Sequence, residues 1–244
     1  SAGLPVIEGY GLTESSPVLT LNPLDRIKLG TVGRAIPGVE LKIAADGEIL
    51  ASGPNIMQGY FKQPEATAET VDAEGWLHTG DIGELDSDGY LRITDRKKDL
   101  LKTAGGKYIA PQPIEGMIKR NKYVANAVLF GDRRKFPIVI VVPNFDNLER
   151  WAHERNLTYA TRAELIEMPD VQAKVEREVM STLRDLAKFE TPKKVVLLEN
   201  DFTIESGELT PTLKVKRRVV EQHYKRRIDA AYAAGDAMAA AIEG

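Results

Sequence analysis

The sequence predicts an α+β fold in two parts, a β-rich first part and a second part in which helices and strands alternate. Up to about residue 95, short apolar stretches alternate with turn signals such as Ile36-Pro37-Gly38, Ala45-Asp46-Gly47 and Ser87-Asp88-Gly89. Short turn-bounded runs of this kind are typical of strands joined by hairpins. After the charged run Asp95-Arg96-Lys97-Lys98-Asp99 the apolar residues take up helical spacing. We therefore place the boundary at this run.

The β-rich part is expected to form a small sheet or barrel. Its predicted strands are Val39–Ile43, Glu48–Leu50 and Tyr90–Ile93. One helix is predicted at Pro64–Thr70, because proline is favoured at the first position of a helix.

The second part is predicted to contain four helices and three strands. In the helix predicted at Asp170–Lys188, Val171, Val175, Val179 and Leu183 lie on one face. The other elements are, in chain order, a helix at Pro113–Arg120, strands at Val124–Phe130 and Pro137–Val142, a helix at Asn144–Arg155, a strand at Lys194–Leu198 and a helix at Val215–Tyr232.

The composition is that of a globular protein able to bury a core, with 43% hydrophobic and 28% charged residues among 244. The net charge of −3 gives no general attraction to nucleic acid, so no nucleic-acid partner is expected. The absence of cysteine excludes disulfides, thiol nucleophiles and cysteine-ligated zinc. No apolar run reaches membrane-spanning length, so we expect a cytoplasmic protein and leave peripheral membrane contact open.

The stretch Glu8-Gly9-Tyr10-Gly11-Leu12-Thr13-Glu14 has the residue types of a ligand cradle. Glycine allows positive φ and close backbone approach. Tyr10 offers a flat face, Thr13 a hydroxyl group and Glu14 an oxygen ligand suited to Mg²⁺. The alternative is a tight strand-to-turn segment in which the tyrosine packs.

Two further stretches allow both a binding role and a plain structural one. Asp81, at the end of Gly75–Asp81, could accept two hydrogen bonds from a ribose diol or cap a turn, while His78 is expected to pack. The run Ala104-Gly105-Gly106-Lys107 has the glycines of a phosphate loop, but the spacing and the following Ser/Thr of a Walker motif are missing.

The stretch Leu209–Arg218 predicts a helix that starts with basic residues after Pro211. Cations are disfavoured near a helix N-terminus. The basic cluster is therefore better explained if an anion visits it.

In their order along the chain, these motifs resemble the adenylate-forming superfamily, which comprises acyl-CoA synthetases, peptide-synthetase adenylation domains and beetle luciferases. The resemblance runs from about residue 5 to about residue 225. Lys102–Pro111 and Leu209–Lys214 are similar to the long-chain fatty acyl-CoA synthetase branch. Residues 1–97 would then be the C-terminal β-rich part, a distorted barrel, of the large AMP-binding domain. Residues 98–244 would be the small mobile C-terminal domain.

The resemblance assigns roles in binding ATP or AMP to residues of the first part. Tyr10 would stack on adenine, Thr13 would contact the α-phosphate, and Glu14 would hold Mg²⁺. Asp81 and Arg96 would bind the ribose hydroxyls.

It also assigns roles around a domain movement. Lys98 would be the hinge, and Lys214 would reach the carboxylate and the α-phosphate during adenylation. A strand containing Gly105 and Gly106 would line the tunnel for the pantetheine arm of CoA after the movement.

The implied activity is that of a long-chain fatty acid–CoA ligase. Such an enzyme converts a fatty acid and ATP to acyl-AMP and pyrophosphate, and then transfers the acyl group to CoA. Family members carry several hundred residues before the tyrosine motif, including a phosphate loop, so we expect this chain to be the C-terminal portion of such an enzyme and inactive without its N-terminal part. The alternatives are a carrier-protein acyl ligase and a non-catalytic nucleotide-binding or partner module.

Overall fold

Two separate sets of β-sheets divide the chain into one unit that ends at Asp99 and another that begins at Leu100. The computed structural model describes residues 6–243 and, among these, the side chains of residues 6–235. Both helices and sheets are present in the order expected, which confirms the predicted α+β class. Of the helices that the structure describes, none is both long enough and apolar enough to cross a bilayer.

In its described residues, 6–99, the first unit has two antiparallel sheets and one α-helix. Its elements are β1 (Gly9–Gly11), β2 (Val18–Leu21), β3 (Arg34–Ala35), β4 (Glu40–Ile43), β5 (Glu48–Ser52), α1 (Pro64–Thr70), β6 (Leu77–Leu85) and β7 (Leu91–Arg96). The sheet orders are β1-β2-β3 and β4-β5-β6-β7. Backbone hydrogen bonds from Val32 to Leu91 and from Leu91 to Gly33, each 2.8 Å, link the two sheets into a curled half-barrel.

The second unit packs helices on a central three-stranded sheet. Its elements are β8 (Leu101–Lys102), β9 (Tyr108–Ile109), α2 (Pro111–Lys119), β10 (Val124–Phe130), β11 (Ile138–Pro143), α3 (Phe145–Glu154), α4 (Arg162–Glu167), α5 (Pro169–Ser181), β12 (Val195–Leu197), α6 (Arg217–His223) and α7 (Lys225–Glu243). The sheet order is β10-β11-β12, with β10 antiparallel and β12 parallel to β11. Every residue of β11 is buried, because the strand lies at the centre of the sheet and of the core.

Two predicted helices differ from the structure by more than two residues, one because it ends early and the other because it is broken in its middle. The helix α5 stops at Ser181, seven residues before the predicted end at Lys188. There the hydroxyl of Ser181 donates to the carbonyl of Glu178 and that of Thr182 to the carbonyl of Val179, both at 2.7 Å, and such bonds compete with helix continuation. The predicted final helix is divided at Tyr224, whose backbone leaves the helical region with φ −104° and ψ 17°.

The short helix α4 was not predicted, although its start carries a recognisable signal. Thr161 accepts a hydrogen bond from the backbone of Glu164, and the Glu164 carboxylate accepts one from the backbone of Ala160. Threonine followed three residues later by glutamate is the pattern of a capping box.

The glycines around Tyr10 are required by close packing against the chain itself. Neither Gly9 nor Gly11 has a positive φ, so of the two properties that glycine allows, close backbone approach is the one used here. A Cβ on Gly11 would lie 1.6 Å from the carbonyl oxygen of Pro17, and one on Gly9 would lie 2.8 Å from the side chain of Leu21. The approach of β1 to the neighbouring backbone therefore excludes any side chain at Gly11.

We predict that Gly11→Ala lowers the free energy of unfolding of the first unit by about 1–3 kcal/mol, because the added methyl group can be placed only by moving backbone. Gly116→Ala is the matched control. Gly116 lies inside α2 with no atom within 4 Å of its Cβ position. That change should raise the stability of the second unit by up to about 1 kcal/mol.

The measurement is urea unfolding followed by tryptophan fluorescence, because the sequence has two tryptophans and they lie in different units. A Trp151→Phe background leaves Trp76 to report on the first unit, and Trp76→Phe leaves Trp151 to report on the second. An unchanged unfolding midpoint for the first unit in Gly11→Ala would contradict the packing argument.

Candidate functional site

Three of the predicted nucleotide-binding residues form one connected cluster in the first unit. Tyr10 lies in β1, while Asp81 in β6 and Arg96 in β7 face each other directly in the strand register. The Tyr10 hydroxyl donates to Asp81 Oδ2 at 2.6 Å, and Arg96 Nε lies 3.2 Å from Asp81 Oδ1. Residues distant in sequence are thus brought together by the pairing of β6 with β7 and by the position of β1.

The cluster has a buried centre and an exposed rim. Asp81 is only 5% exposed, whereas the Arg96 side chain is 57% exposed. Burial and the hydrogen bond to Asp81 raise the pKa of Tyr10 well above its ordinary value of 10.0, so the phenol stays a neutral donor. Each carboxylate oxygen can accept more than one hydrogen bond. Asp81 therefore keeps the capacity to accept from a ligand hydroxyl while bound to Tyr10 and Arg96.

Thr13 and Glu14 lie together in a 3₁₀ turn, Thr13–Ser15, directly after β1. The turn is fixed by Ser15, a buried residue that sequence reasoning missed. Its hydroxyl accepts from the backbone of Leu12 at 2.9 Å and donates to the carbonyl of Pro17 at 2.7 Å. The Thr13 side chain is exposed above this rigid turn.

The carboxylate of Glu14 has one protein partner that was also not predicted. The Tyr60 hydroxyl donates to Glu14 Oε1 at 2.7 Å. Among the described residues no group of three or more His, Cys, Asp or Glu side chains could enclose a metal ion. Mg²⁺ on nucleotides is usually held by one or two carboxylates together with the phosphates. Glu14 therefore fits the role of a single ligand to a phosphate-bound Mg²⁺ and does not fit a complete protein cage.

A second buried carboxylate, Glu48, forms an ion pair with Lys97 near the C-terminal end of the first unit. It is 3% exposed and lies 2.7 Å from Lys97 Nζ and 2.9 Å from His78 Nδ1. Lys97 also lies 2.8 Å from Asp46. The expectation that His78 simply packs is wrong, because its ring is half-exposed and bonded to Glu48.

Lys98 follows this anchored lysine in a 3₁₀ turn, Lys97–Asp99, and its side chain is exposed. The chain passes into the second unit two residues later. Lys97 is thus tied to the first unit, while its neighbour Lys98 has an exposed side chain close to the boundary.

In the second unit, Lys214 lies at the end of a tight hairpin turn, residues 210–214. The backbone of Thr210 donates to the carbonyl of Lys214 at 2.8 Å, and the backbone of Lys214 donates to Thr210 Oγ1 at 3.0 Å. Leu209 and Val215 pair across the base of the turn. Its backbone is therefore well defined, while the Lys214 side chain is exposed.

Gly105 and Gly106 lie in a turn and not in a strand, so that part of the prediction is wrong. They connect β8 to β9, with the backbone of Gly106 donating to the carbonyl of Thr103 at 2.9 Å. Gly106 has φ 75°, a conformation that glycine adopts without strain and that ends a strand.

Comparison with known proteins gives a consistent result along the chain. A sequence profile described as AMP-binding enzyme matches residues 2–61, and one described as AMP-binding enzyme C-terminal domain matches residues 98–236. The long-chain-fatty-acid–CoA ligase FadD15 of Mycobacterium tuberculosis is 38% identical over 232 residues, which are 95% of this chain and 38% of that protein. Human long-chain-fatty-acid–CoA ligase 1 is 36% identical over 94% of this chain and 35% of its own length. The chain therefore spans well under half the length of these relatives.

A solved structure shows the same similarity. O-succinylbenzoate coenzyme A synthetase (MenE) from Bacillus subtilis, in complex with AMP, matches with a TM-score of 0.60 and 26% identity. The match covers 88% of this chain and 40% of that one.

The ion pairs and hydrogen bonds of Glu48 predict that the stability of the first unit depends on pH. Burial opposes ionisation of Glu48, but Lys97, His78 and the backbone of Gly80 outweigh it and lower the pKa of this carboxyl below 4.5. A carboxyl whose pKa is lowered by folding stabilises the fold above its unfolded pKa and loses that effect as the pH falls. The stability advantage of wild type over Glu48→Gln should therefore shrink as the pH is lowered from about 5.5 to about 3.

The measurement is urea unfolding at several pH values with Trp76 as the reporter. Glu65→Gln, an exposed position at the start of α1, is the control and should differ from wild type little at any pH. A wild-type advantage over Glu48→Gln that stays constant with pH would contradict the role given to the ionised carboxylate.

Proposed function

The chain belongs to the AMP-binding enzyme family, and on that premise we propose that it supplies the C-terminal residues of a long-chain fatty acid–CoA ligase. The observation that carries the proposal is the cluster of Tyr10, Asp81 and Arg96, in which the residues assigned to the nucleotide are bonded to one another. In the proposed reaction a fatty acid carboxylate attacks the α-phosphorus of ATP, and pyrophosphate leaves. The thiol of CoA then attacks the acyl carbon, and AMP leaves.

Within the first unit, we assign the nucleoside to this cluster. The half-buried ring of Tyr10 offers a face to adenine. Asp81 accepts hydrogen bonds from the ribose hydroxyls, and Arg96 balances its charge and adds donors at the exposed rim.

The turn after β1 serves the phosphates in this proposal. Thr13 has an exposed hydroxyl that can donate to the α-phosphate, and Glu14 holds Mg²⁺ with the oxygen atoms that Tyr60 leaves available. When bound, Mg²⁺ would neutralise part of the phosphate charge. Ser15 keeps both side chains on a rigid turn, which lowers the cost of aligning them.

The second unit supplies Lys214 for adenylation. Bringing a carboxylate to a phosphate joins two anions, so a positive charge that meets them favours the reaction. Lys98 is the proposed hinge, and the turn of Gly105 and Gly106 is the proposed neighbour of the pantetheine arm of CoA. A hinge between the units lets one enzyme present different groups for two successive steps.

The proposal is tested in a chimera in which this chain replaces the matching C-terminal region of FadD15. The chimera should catalyse palmitate-dependent ATP–pyrophosphate exchange and form palmitoyl-CoA, whereas the chain alone should catalyse neither. Comparing CoA with a phosphopantetheine carrier protein as acceptor separates the ligase from a carrier-protein acyl ligase. Exchange by the chain alone, or a folded chimera without exchange, would contradict the proposal.

In that chimera, Asp81→Ala should weaken ATP binding by at least about 10-fold, because a charged hydrogen-bond acceptor contributes about 1.5–3 kcal/mol. Asp88→Ala, an exposed carboxylate of the same unit, should leave the Kd for ATP unchanged. An unchanged Kd for Asp81→Ala would remove Asp81 from the ribose site.

Lys214→Ala should lower adenylation by about 100-fold or more, as expected when a group that stabilises transition-state charge is lost. Palmitoyl transfer from supplied palmitoyl-AMP to CoA should stay close to that of the unmodified chimera. Lys119→Ala, an exposed lysine at the end of α2, is the control for loss of one positive charge. Equal loss of both half-reactions would argue against the role of Lys214.

A further inference from the structure

The hairpin turn that carries Lys214 is tied to the edge of the second-unit sheet by an ion pair between a partly exposed arginine and a buried carboxylate. Arg217 is the first residue of α6, three positions after Lys214, and its Nη1 donates to the carboxylate of Glu115 in α2. The same nitrogen donates to the carbonyl of Leu129 at 2.6 Å, and the backbone of Leu129 donates to Glu115 Oε1 at 2.7 Å. Glu115, Arg217 and Leu129 thus form a closed ring of hydrogen bonds.

The backbone of Leu129 can bond to these two side chains because its strand, β10, lies at the edge of the sheet. At an edge, alternate residues point their backbone groups away from the sheet, where they need other partners. Here those groups are met by a carboxylate and a guanidinium. The ion pair therefore satisfies the outward-facing N–H and C=O of Leu129 and ties α6 to this edge strand.

The pair also accounts for the basic start of α6. Cations are disfavoured at a helix N-terminus, and the sequence suggested a visiting anion as the reason for the cluster there. For Arg217 the anion is internal, because Glu115 is 8% exposed and lies in contact with it. The visiting-anion interpretation is therefore wrong for Arg217, while the neighbouring Arg218 is exposed.

A second buried carboxylate holds the hairpin from its other strand. Glu208 is 3% exposed and accepts from Ser206 Oγ at 2.8 Å, and His223 Nδ1 lies 3.0 Å from it. Its backbone carbonyl accepts from the backbone of Lys216 at 2.7 Å. The base of the hairpin is thus fixed on both sides of Lys214.

We propose that Glu115 and Arg217 are positioning residues that hold the Lys214 hairpin in place for adenylation, an inference that rests on the proposed role of Lys214. Neither residue is assigned a contact with substrate. They act by fixing the backbone that carries Lys214. A small displacement of the Lys214 ammonium group would remove much of its catalytic effect.

The test compares Arg217→Met with Arg218→Met, a neighbouring arginine of the same helix. In the 244-residue chain, hydrogen–deuterium exchange of a peptide covering residues 209–216 should become at least about 10-fold faster in Arg217→Met, because the ring of partly buried, charged hydrogen bonds is opened. In the FadD15 chimera, Arg217→Met should lower kcat of adenylation by at least about 10-fold and leave acyl transfer from palmitoyl-AMP unchanged. Arg218→Met should change neither.

A Glu115→Gln/Arg217→Met double variant separates positioning from folding. It removes the unpaired buried charge that Arg217→Met alone would leave, so thermal stability should return toward wild type. Adenylation should nevertheless remain low, because the guanidinium that ties α6 to Leu129 is still missing. Recovery of adenylation together with stability would overturn the positioning role.

The remaining outcomes separate failure of this inference from failure of the proposed function. If Arg217→Met retains adenylation while Lys214→Ala loses it, the positioning role is overturned and the role of Lys214 stands. If Lys214→Ala retains full adenylation, both are overturned, whatever the effect of Arg217→Met.

Discussion

A carboxylate that is removed from water must keep cationic or hydrogen-bonding partners. In this chain, that requirement fixes the segments that carry the proposed site residues. The buried carboxylate of Asp81 holds Tyr10 and Arg96, and that of Glu48 holds Lys97. In the second unit, the carboxylate of Glu115 holds Arg217, and that of Glu208 accepts from Ser206 and lies 3.0 Å from His223. For the partners Tyr10, Lys97 and Arg217, the two residues lie at least 49 positions apart in sequence, so these carboxylates set where distant parts of the chain meet.

The same arrangement separates rigid backbone from exposed side chains. Lys214 stands between the anchors Glu115 and Glu208. Thr13 stands on a turn fixed by the buried Ser15. The side chains of Thr13 and Lys214 are thus exposed, but the backbone atoms that carry them are held by hydrogen bonds. This reduces the entropy lost when they engage a ligand, which is the physical basis of preorganisation.

Sequence reasoning predicted the elements with strong periodicity or clear end signals and missed the partners of the site. The helix α1 and the strand β10 were predicted with their observed ends, because proline marks the start of the helix and a largely apolar run marks the strand. The end of α5 was placed too late, since Leu183 and Leu186 continue the apolar period beyond the last helical turn. The strand expected at Gly105–Gly106 is a turn, in which Gly106 takes a positive φ that an extended strand does not have.

Apart from Ser15, whose bonds to Leu12 and Pro17 are local, the missed partners have roles that depend on pairing between distant residues. Tyr60 lies 46 residues from Glu14, and Lys97 lies 49 residues from Glu48. Arg217 lies 102 residues from Glu115. No local pattern links such residues. Only for Arg217 did the sequence give a signal, because a cation is disfavoured at a helix start. That signal predicted a nearby anion but did not show that the anion is a residue of the same chain.

Stability alone does not explain why these positions carry charge. Replacing a buried ion pair with apolar residues of similar volume is often neutral or stabilising, because the desolvation of the charges is no longer required. The apolar core of the second unit, with β11 wholly buried, already provides a large hydrophobic stabilisation. What an apolar pair cannot provide is direction, since hydrogen bonds to a carboxylate fix both distance and angle whereas apolar contacts tolerate sliding. In a reaction that must align a carboxylate, a phosphate and a lysine, that directional constraint accounts for buried charge beside the proposed site.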